Sequence, residues 1–345
     1  MCMSHFTDLL NPIRDRLRPP VAVVLGAPRQ AAQIAGALRT SPITCYQMDL
    51  YQARRLAAEL REQGTDADVT TSADLWDLPD VFHTVVFPAQ RGVERELKLD
   101  MIEQAFHILQ PRGQLLVLSP YEHDQVIPAA VKKVFRRGHV IPTDAGTIIW
   151  GRREGERPRR RHEVTFHARI GAGESLSFLS RPGVFCYGRL DDGARALLEV
   201  AEIERGARVL DLGCGGGANG IFAARSAGPD GHIHFVDSNV RAVALAAHNA
   251  CANGLTAFET LAVPGDDDLP IAPCDVVLAN PPYYAQATIA RRFLEQAKVV
   301  LRPKGAIYVV TRQLDSTELL MADLFGDYDV LERRGYFVFH ARKRR

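Results

Sequence analysis

Two short runs of residues in this chain have types and spacing that could do chemistry together. Asn280-Pro281-Pro282-Tyr283 follows the apolar run Asp275-Val276-Val277-Leu278-Ala279, and upstream lies Asp211-Leu212-Gly213-Cys214-Gly215-Gly216-Gly217. An aromatic amine or an amide nitrogen is a poor nucleophile because its lone pair is delocalised. Two acceptors that hold its N–H hydrogens localise that pair toward an incoming electrophile. The Asn280 side-chain oxygen and the Pro281 carbonyl are suited to be those acceptors. Tyr283 supplies an aromatic face on which a planar target can stack. Asn280 and Pro281 each precede a proline, which excludes the helical region and predicts a stiff, extended loop. A plain Pro-Pro loop after a strand is the competing reading, and it leaves Asn280 and Tyr283 as coincidence.

The glycine run predicts a turn that brings a ligand against the backbone. Val209 to Leu212 reads as a buried strand, and Gly213, Gly215, Gly216 and Gly217 lead into a helix carrying Ile221 and Phe222. Glycines admit conformations closed to other residues and remove Cβ atoms that block close approach. Strand, glycine turn and helix open a nucleotide-binding α/β sheet. The next strand, Ile233-His234-Phe235-Val236, ends at Asp237 and Ser238. An acid at that tip can accept from both ribose hydroxyls, and its separation from the turn is about the ~20 residues this role needs. The spacing is D-x-G-x-G-x-G through Asp211, Gly213, Gly215 and Gly217, not the G-x-G-x-x-G of a dinucleotide site. A dinucleotide site or a turn without a ligand remains as the alternative. Asp211 argues against an empty turn, because an unpaired carboxylate ending an apolar strand is costly. Together the motifs point to methyl transfer from S-adenosylmethionine to an amino nitrogen. A sulfonium is already an activated donor, so positioning should dominate and no strong base is needed.

These residues need a frame to hold them, and 345 residues suit two domains. Val21 to Gly26 is a strand and turn, Arg29 to Leu38 is helical, and Ile43 to Met48 is a strand ending at Asp49. The shift that carries Thr84-Val85-Val86-Phe87 onto Val276-Val277-Leu278-Ala279 also carries Gln110-Pro111-Arg112-Gly113 onto Arg302-Pro303-Lys304-Gly305. Under it, Pro88-Ala89-Gln90-Arg91 stands where the second half has Asn280 to Tyr283. Gly26-Ala27-Pro28 has one glycine and no acid like Asp211. The expected fold class is α/β, two tandem Rossmann-like methyltransferase domains with the N-terminal one degenerate. The expected boundaries are 1–155 for RNA binding or structural support and 163–345 for catalysis. Chance likeness between two α/β domains is the alternative.

The formal net charge of +1 excludes a global polycation. Basic residues cluster locally at Arg152, Arg153, Arg157, Arg159, Arg160 and Arg161, and at Arg342 to Arg345. Such runs are either solvated or bind phosphate. The six cysteines lack zinc-knuckle or C-x-x-C spacing, so they read as reduced thiols in a cytoplasmic protein with no metal. No signal peptide or membrane span is expected.

Pro182-Gly183-Val184-Phe185, Leu190-Asp191-Asp192-Gly193, Asp211 to Gly217, Asp237 and Asn280 to Tyr283 together resemble the two-domain bacterial rRNA guanine-N2 methyltransferases, in the methyltransferase small domain group. The resemblance covers the second half by motif and the first half by layout. It implies methyl transfer from S-adenosylmethionine to the exocyclic amine of a guanine, with rRNA or a ribosomal subunit as partner and a monomeric enzyme. It implies that Asp211 and Gly213 to Gly217, Cys214 included, line the methionine part of the cofactor. Asp237, with Ser238 beside it, would take the ribose, and Asp266 would lie near the adenine amine. Phe185 and Asp191 would cover the cofactor, with Asn280 beside it. Cys186 stands where a serine is common, and Tyr283 where a phenylalanine is common. Tyr at that place also serves methylation of adenine N6 or of a glutamine amide, and a non-catalytic RNA-binding or assembly factor could keep the fold.

Overall fold

The computed structural model describes residues 6–265, 267–281 and 287–344. The chain divides into two compact units, Met1–His162 and Glu163–Arg345.

In the first unit, β1 (Val21–Val24), β2 (Ile43–Gln47), β3 (Asp68–Thr71), β4 (Phe82–Pro88), β5 (Leu109–Ser119), β6 (His139–Thr143) and β7 (Gly146–Arg152) form one sheet in the order β3-β2-β1-β4-β5-β7-β6. Helices α1 (Phe6–Leu10), α2 (Pro28–Leu38), α3 (Leu50–Glu62), α4 (Arg95–Ile108) and α5 (Val126–Phe135) accompany it. The second unit opens with a two-stranded ribbon, β8 (Val164–Ala168) and β9 (Leu176–Ser180). Its main sheet uses β10 (Arg208–Leu212), β11 (His232–Asp237), β12 (Phe258–Ala262), β13 (Cys274–Ala279), β14 (Leu301–Thr311), β15 (Tyr328–Arg333) and β16 (Tyr336–Arg342). Their order is β12-β11-β10-β13-β14-β16-β15, the order of the first unit again. Its helices are α6 (Asp192–Val200), α7 (Ala218–Ala227), α8 (Val240–Ala252), α9 (Ala287–Val300) and α10 (Leu314–Leu324).

The likeness of the units extends to local irregularities. Phe82 pairs with Leu109 and Thr84 with Gln114, across a register shift. Cys274 pairs with Leu301 and Val276 with Ala306, across the same shift. Arg112 and Lys304, matched by the sequence offset, both adopt φ +68°. The Arg112 amide donates to the Arg153 carbonyl and the Lys304 amide to the Lys343 carbonyl. Shared topology, register fault and strained backbone make chance likeness a poor account of the two halves.

The central strands are short, apolar and buried. Val209, Leu210, Val277 and Leu278 are fully buried, as a parallel strand covered on both faces requires. In the second unit β10 pairs on one side with β11 and on the other with β13, all parallel. That divergence is the switch point at which open α/β sheets bind ligands. Leu212 is in register with Ala279 and with Val236. The residues that follow, Gly213, Asn280 and Asp237, therefore leave the sheet side by side.

In the first unit the Asp49 side chain caps α3, accepting from the Gln52 amide at 2.8 Å. The arginine run is partly tied down: Arg153 and Arg157 are half-buried, while Arg152, Arg159, Arg160 and Arg161 remain exposed. Arg157 meets the buried Glu103 at 2.8 Å and donates to the Val134 carbonyl. Arg159 lies over the Trp76 ring, and Arg161 faces the buried Asp74 at 3.5 Å. Burial, then the charges of Arg159, Arg157 and Arg153, push His107 down to about 4. The arginines form a strap over this unit's own core.

Candidate active site

The glycine turn is built from the backbone of two strands. The amides of Gly213 and Cys214 both donate to the Val236 carbonyl, at 2.8 and 2.9 Å. Gly215 has φ +52°, and a Cβ built on it meets nothing within 4 Å, so this face of the turn is open. Gly217 answers a different need. It has φ +84°, and a Cβ there would come within 3.1 Å of the Ala246 backbone on α8. Its small size lets α7 start close against α8.

Asp211 is fully buried behind the turn, where its Oδ2 accepts from the Gly220 amide at 2.8 Å. Its Oδ1 has no hydrogen-bond partner among the described residues. Burial pushes its carboxyl up to about 7, against the lowering pull of the Gly220 amide and the Asn219 side chain. Burial likewise raises the Cys214 thiol, with Asp237 and Asp211 adding to it. Asp237 has each oxygen engaged, accepting from the Gly215 amide and from the Asn239 amide, both at 2.9 Å. Ser238 is half-buried beside it.

A loop from Arg181 to Asp191 covers the turn. Three polar side chains, absent from the sequence reading, pin it. Arg241, fully buried on α8, donates to the Pro182 carbonyl at 2.7 Å. Asn239 caps α8 and donates to the Gly183 carbonyl at 2.8 Å. Asn249 binds both the amide and the carbonyl of Leu179 and also donates to the Gly216 carbonyl. Only Asn239 had a local signal, as a cap-forming residue before a helical run. Arg241 and Asn249 act on groups about sixty or seventy positions away, and spacing cannot reveal that.

One cavity collects fewer than half of the expected residues. Phe185, Asp191, Gly213, Cys214, Gly215 and Asn280 line it. Phe185 is 51% exposed, a large ring left at the rim rather than in the core. Asp211, Gly217, Asp237 and Ser238 do not line it. Asn280 ends β13, and Pro281 beyond it is buried. The Asn280 Nδ2 donates to Asp191 Oδ2 at 3.0 Å, an oxygen that also accepts from the Ala194 amide at 2.9 Å. Pro282, Tyr283 and Asp266 lie outside the described residues. A glycine backbone, an exposed ring, a carboxylate and a carboxamide thus share one recess. They fit a nucleoside ligand lying against the turn and an amino group held at Asn280.

A second polar group lies at the other end of the strands. His232, His234 and Glu259 offer ligand atoms within 4.8 Å of one another. The Arg208 guanidinium lies 3.4 Å from His234 Nε2, and His234 Nδ1 faces Glu259 Oε2 at 3.2 Å. An arginine N–H can only donate, so the contact requires Nε2 to accept. The group is an internal polar chain beside a fixed cation, which disfavours a metal.

Comparison with known proteins bears on the same segment. Residues 175–340 match the model of the methyltransferase small domain family. A ribosomal RNA large subunit methyltransferase G of Streptomyces avermitilis is 37% identical over 174 residues, 49% of this chain and 46% of that protein. A ribosomal RNA small subunit methyltransferase C of Chromohalobacter salexigens is 34% identical over 180 residues, 49% of this chain and 52% of that protein. The chain thus spans about half the length of the relatives it matches. The T. thermophilus 16S rRNA N2 G1207 methyltransferase, solved with AdoMet and guanosine, superposes with a TM-score of 0.74 at 23% identity. That superposition covers 97% of this chain and 92% of the other, so the two-unit fold is shared throughout. Residues 175–340 are thus similar to the methyltransferase small domain family, and the chain as a whole shares the fold of that T. thermophilus structure.

Proposed function

We propose that this chain is an S-adenosylmethionine-dependent methyltransferase that modifies the exocyclic N2 amine of a guanine in rRNA. The observation that carries the reading is the placement of Asn280 beside the cavity lined by Gly213 and Gly215, at the ends of adjacent strands in register. The relatives' names and the guanosine in the T. thermophilus structure support guanine in rRNA as the target. The cofactor supplies a methyl group activated on a sulfonium. The open face of Gly215 lets its nucleoside lie against the backbone, and Asp211, buried behind the turn, holds the start of α7 through the Gly220 amide. Phe185 covers the cofactor from the rim, and Asp237, with Ser238 beside it, would take the ribose. Asn280 Oδ1 and the Pro281 carbonyl accept the two amine hydrogens, which turns the nitrogen lone pair toward the methyl group. For Pro282, Tyr283 and Asp266, outside the described residues, the proposed roles of a stiff loop, a stacking face and a contact to the adenine amine rest on the sequence.

In this reading the first unit supports the enzyme or binds RNA and holds no cofactor. A Cβ on Gly26 would meet the Pro88 ring at 3.1 Å, and Gln47 donates to the Gly26 carbonyl. Gln90 bonds to Gln30 nearby. The turn of the first unit thus has side chains packed and bonded around it.

The test is methyl transfer by the full chain from isotopically labelled S-adenosylmethionine to rRNA and to ribosomal subunits, with digestion to nucleosides. Label in N2-methylguanosine supports the reading. Label in N6-methyladenosine, or in a protein glutamine, moves the target and keeps the chemistry. No transfer to any of them contradicts the enzyme reading.

A further inference from the structure

We infer that Asp191 is a positioning residue that fixes which end of the Asn280 carboxamide faces the substrate amine. The inference rests on the methyltransferase reading above. A carboxamide has a donor end and an acceptor end, and half a turn about its last bond exchanges them. Only the acceptor end can hold an amine hydrogen. The flipped rotamer would set one donor against another.

The geometry removes that choice. Asp191 Oδ2 lies 3.0 Å from Asn280 Nδ2. An ionised carboxylate accepts and cannot donate. Flipping Asn280 would bring its carbonyl oxygen against the carboxylate. The NH2 end therefore faces Asp191 and Oδ1 is turned the other way. The same hydrogen bond draws charge toward Oδ1 and makes it a better acceptor, as linked hydrogen bonds polarise one another.

Asp191 is itself fixed. It is the N-terminal cap of α6, accepting from the Ala194 amide at 2.9 Å, and it is 9% exposed. Ala196 and Leu197, one turn on, are fully buried. The carboxylate lies at the positive end of α6. Asn280 is held from the other side by Ala279, paired with Leu212 and Val309. The orientation of one carboxamide is thus set by two rigid elements distant in sequence. This differs from a role for Asp191 as a wall of the cofactor site.

The experiment is steady-state kinetics of the full chain with rRNA and S-adenosylmethionine, comparing D191S and D191N. Serine still caps a helix but is one bond too short to reach Asn280. Asparagine keeps an acceptor of the same length. D191S should lose about 10²-fold in kcat, as small misplacements of catalytic groups do. Its KM for S-adenosylmethionine should stay within about threefold and its Tm near that of the wild type, as the retained cap implies. D191N should recover most of the lost kcat. In an N280A background, D191S should have no further effect, because Asp191 acts through Asn280. A wild-type kcat in D191S, or a raised KM for the cofactor with kcat intact, overturns the proposal. A second readout does not need activity: the Asn280 side-chain amide protons, assigned by their loss in N280A, should exchange slowly in the wild type and fast in D191S. Equal exchange in both also overturns the proposal. Absence of Asn280-dependent transfer by the wild type would instead sink the methyltransferase reading and leave the exchange result to judge the contact.

Discussion

At the scale of single residues, the decisive group is Asn280. It is legible in the sequence because its neighbours are local: two prolines and an apolar strand state its surroundings. The glycines are legible for the same reason, although their jobs divide. Gly215 opens the cavity and Gly217 packs two helices. Asp191 was visible by resemblance as a residue over the cofactor, and its bond to Asn280 was not, because 89 positions separate them. Asn280→Ala should lower kcat by at least ~10²-fold and leave S-adenosylmethionine affinity within a few-fold, since the lost contact strengthens only in the transition state. Single-turnover rates with calorimetry of cofactor binding check both parts. Near-normal turnover in that variant would refute the amine-holding role.

At the scale of elements, buried polar groups tie the parts together, and the sequence states them least well. Asp211 is the clearest case. Its folded pKa of about 7 lies above the ordinary 3.8, so the native state keeps a proton that the unfolded chain has released. Its contribution to stability is full below about pH 4 and declines as pH rises toward 7. Asp211→Asn cannot titrate and should lack that decline. Relative to wild type, it should be more stable at pH 8 than at pH 5, by roughly 3 kcal/mol at most. Urea unfolding of both proteins across that range checks the sign. A variant that loses ground as pH rises would mean the carboxylate is stabilised where it sits. The arginine run shows the same blindness. Its composition suggests solvent or phosphate, yet the partner of Arg157 is Glu103 on α4. Glu103 is buried, so Arg157→Ala strands a charge and should cost about 3 kcal/mol in the unfolding of the first unit. An unchanged urea midpoint would show that the strap carries no stability.

At the scale of the whole molecule, one architecture occurs twice and only the second copy carries the glycine run. The offset between the halves was readable because strands and tight turns keep their length. The difference between the copies was readable as missing motifs. The contacts around the first turn, Pro88 near Gly26 and the glutamines beside it, needed the structure. Calorimetry of the full chain should therefore give one S-adenosylmethionine per chain, and Gly215→Leu should abolish that binding by filling the open face. Two equivalents, or binding that survives the substitution, would place a cofactor in the first unit. The central claim is that this chain puts a methyl group on guanine N2 in rRNA through Asn280. Mass mapping of rRNA nucleosides tests it most directly, in cells with the gene, without it, and with the gene carrying Asn280→Ala. The account predicts one N2-methylguanosine site that disappears without the gene, returns with the wild type and does not return with the variant. An rRNA N2-methylguanosine map identical in all three would contradict it.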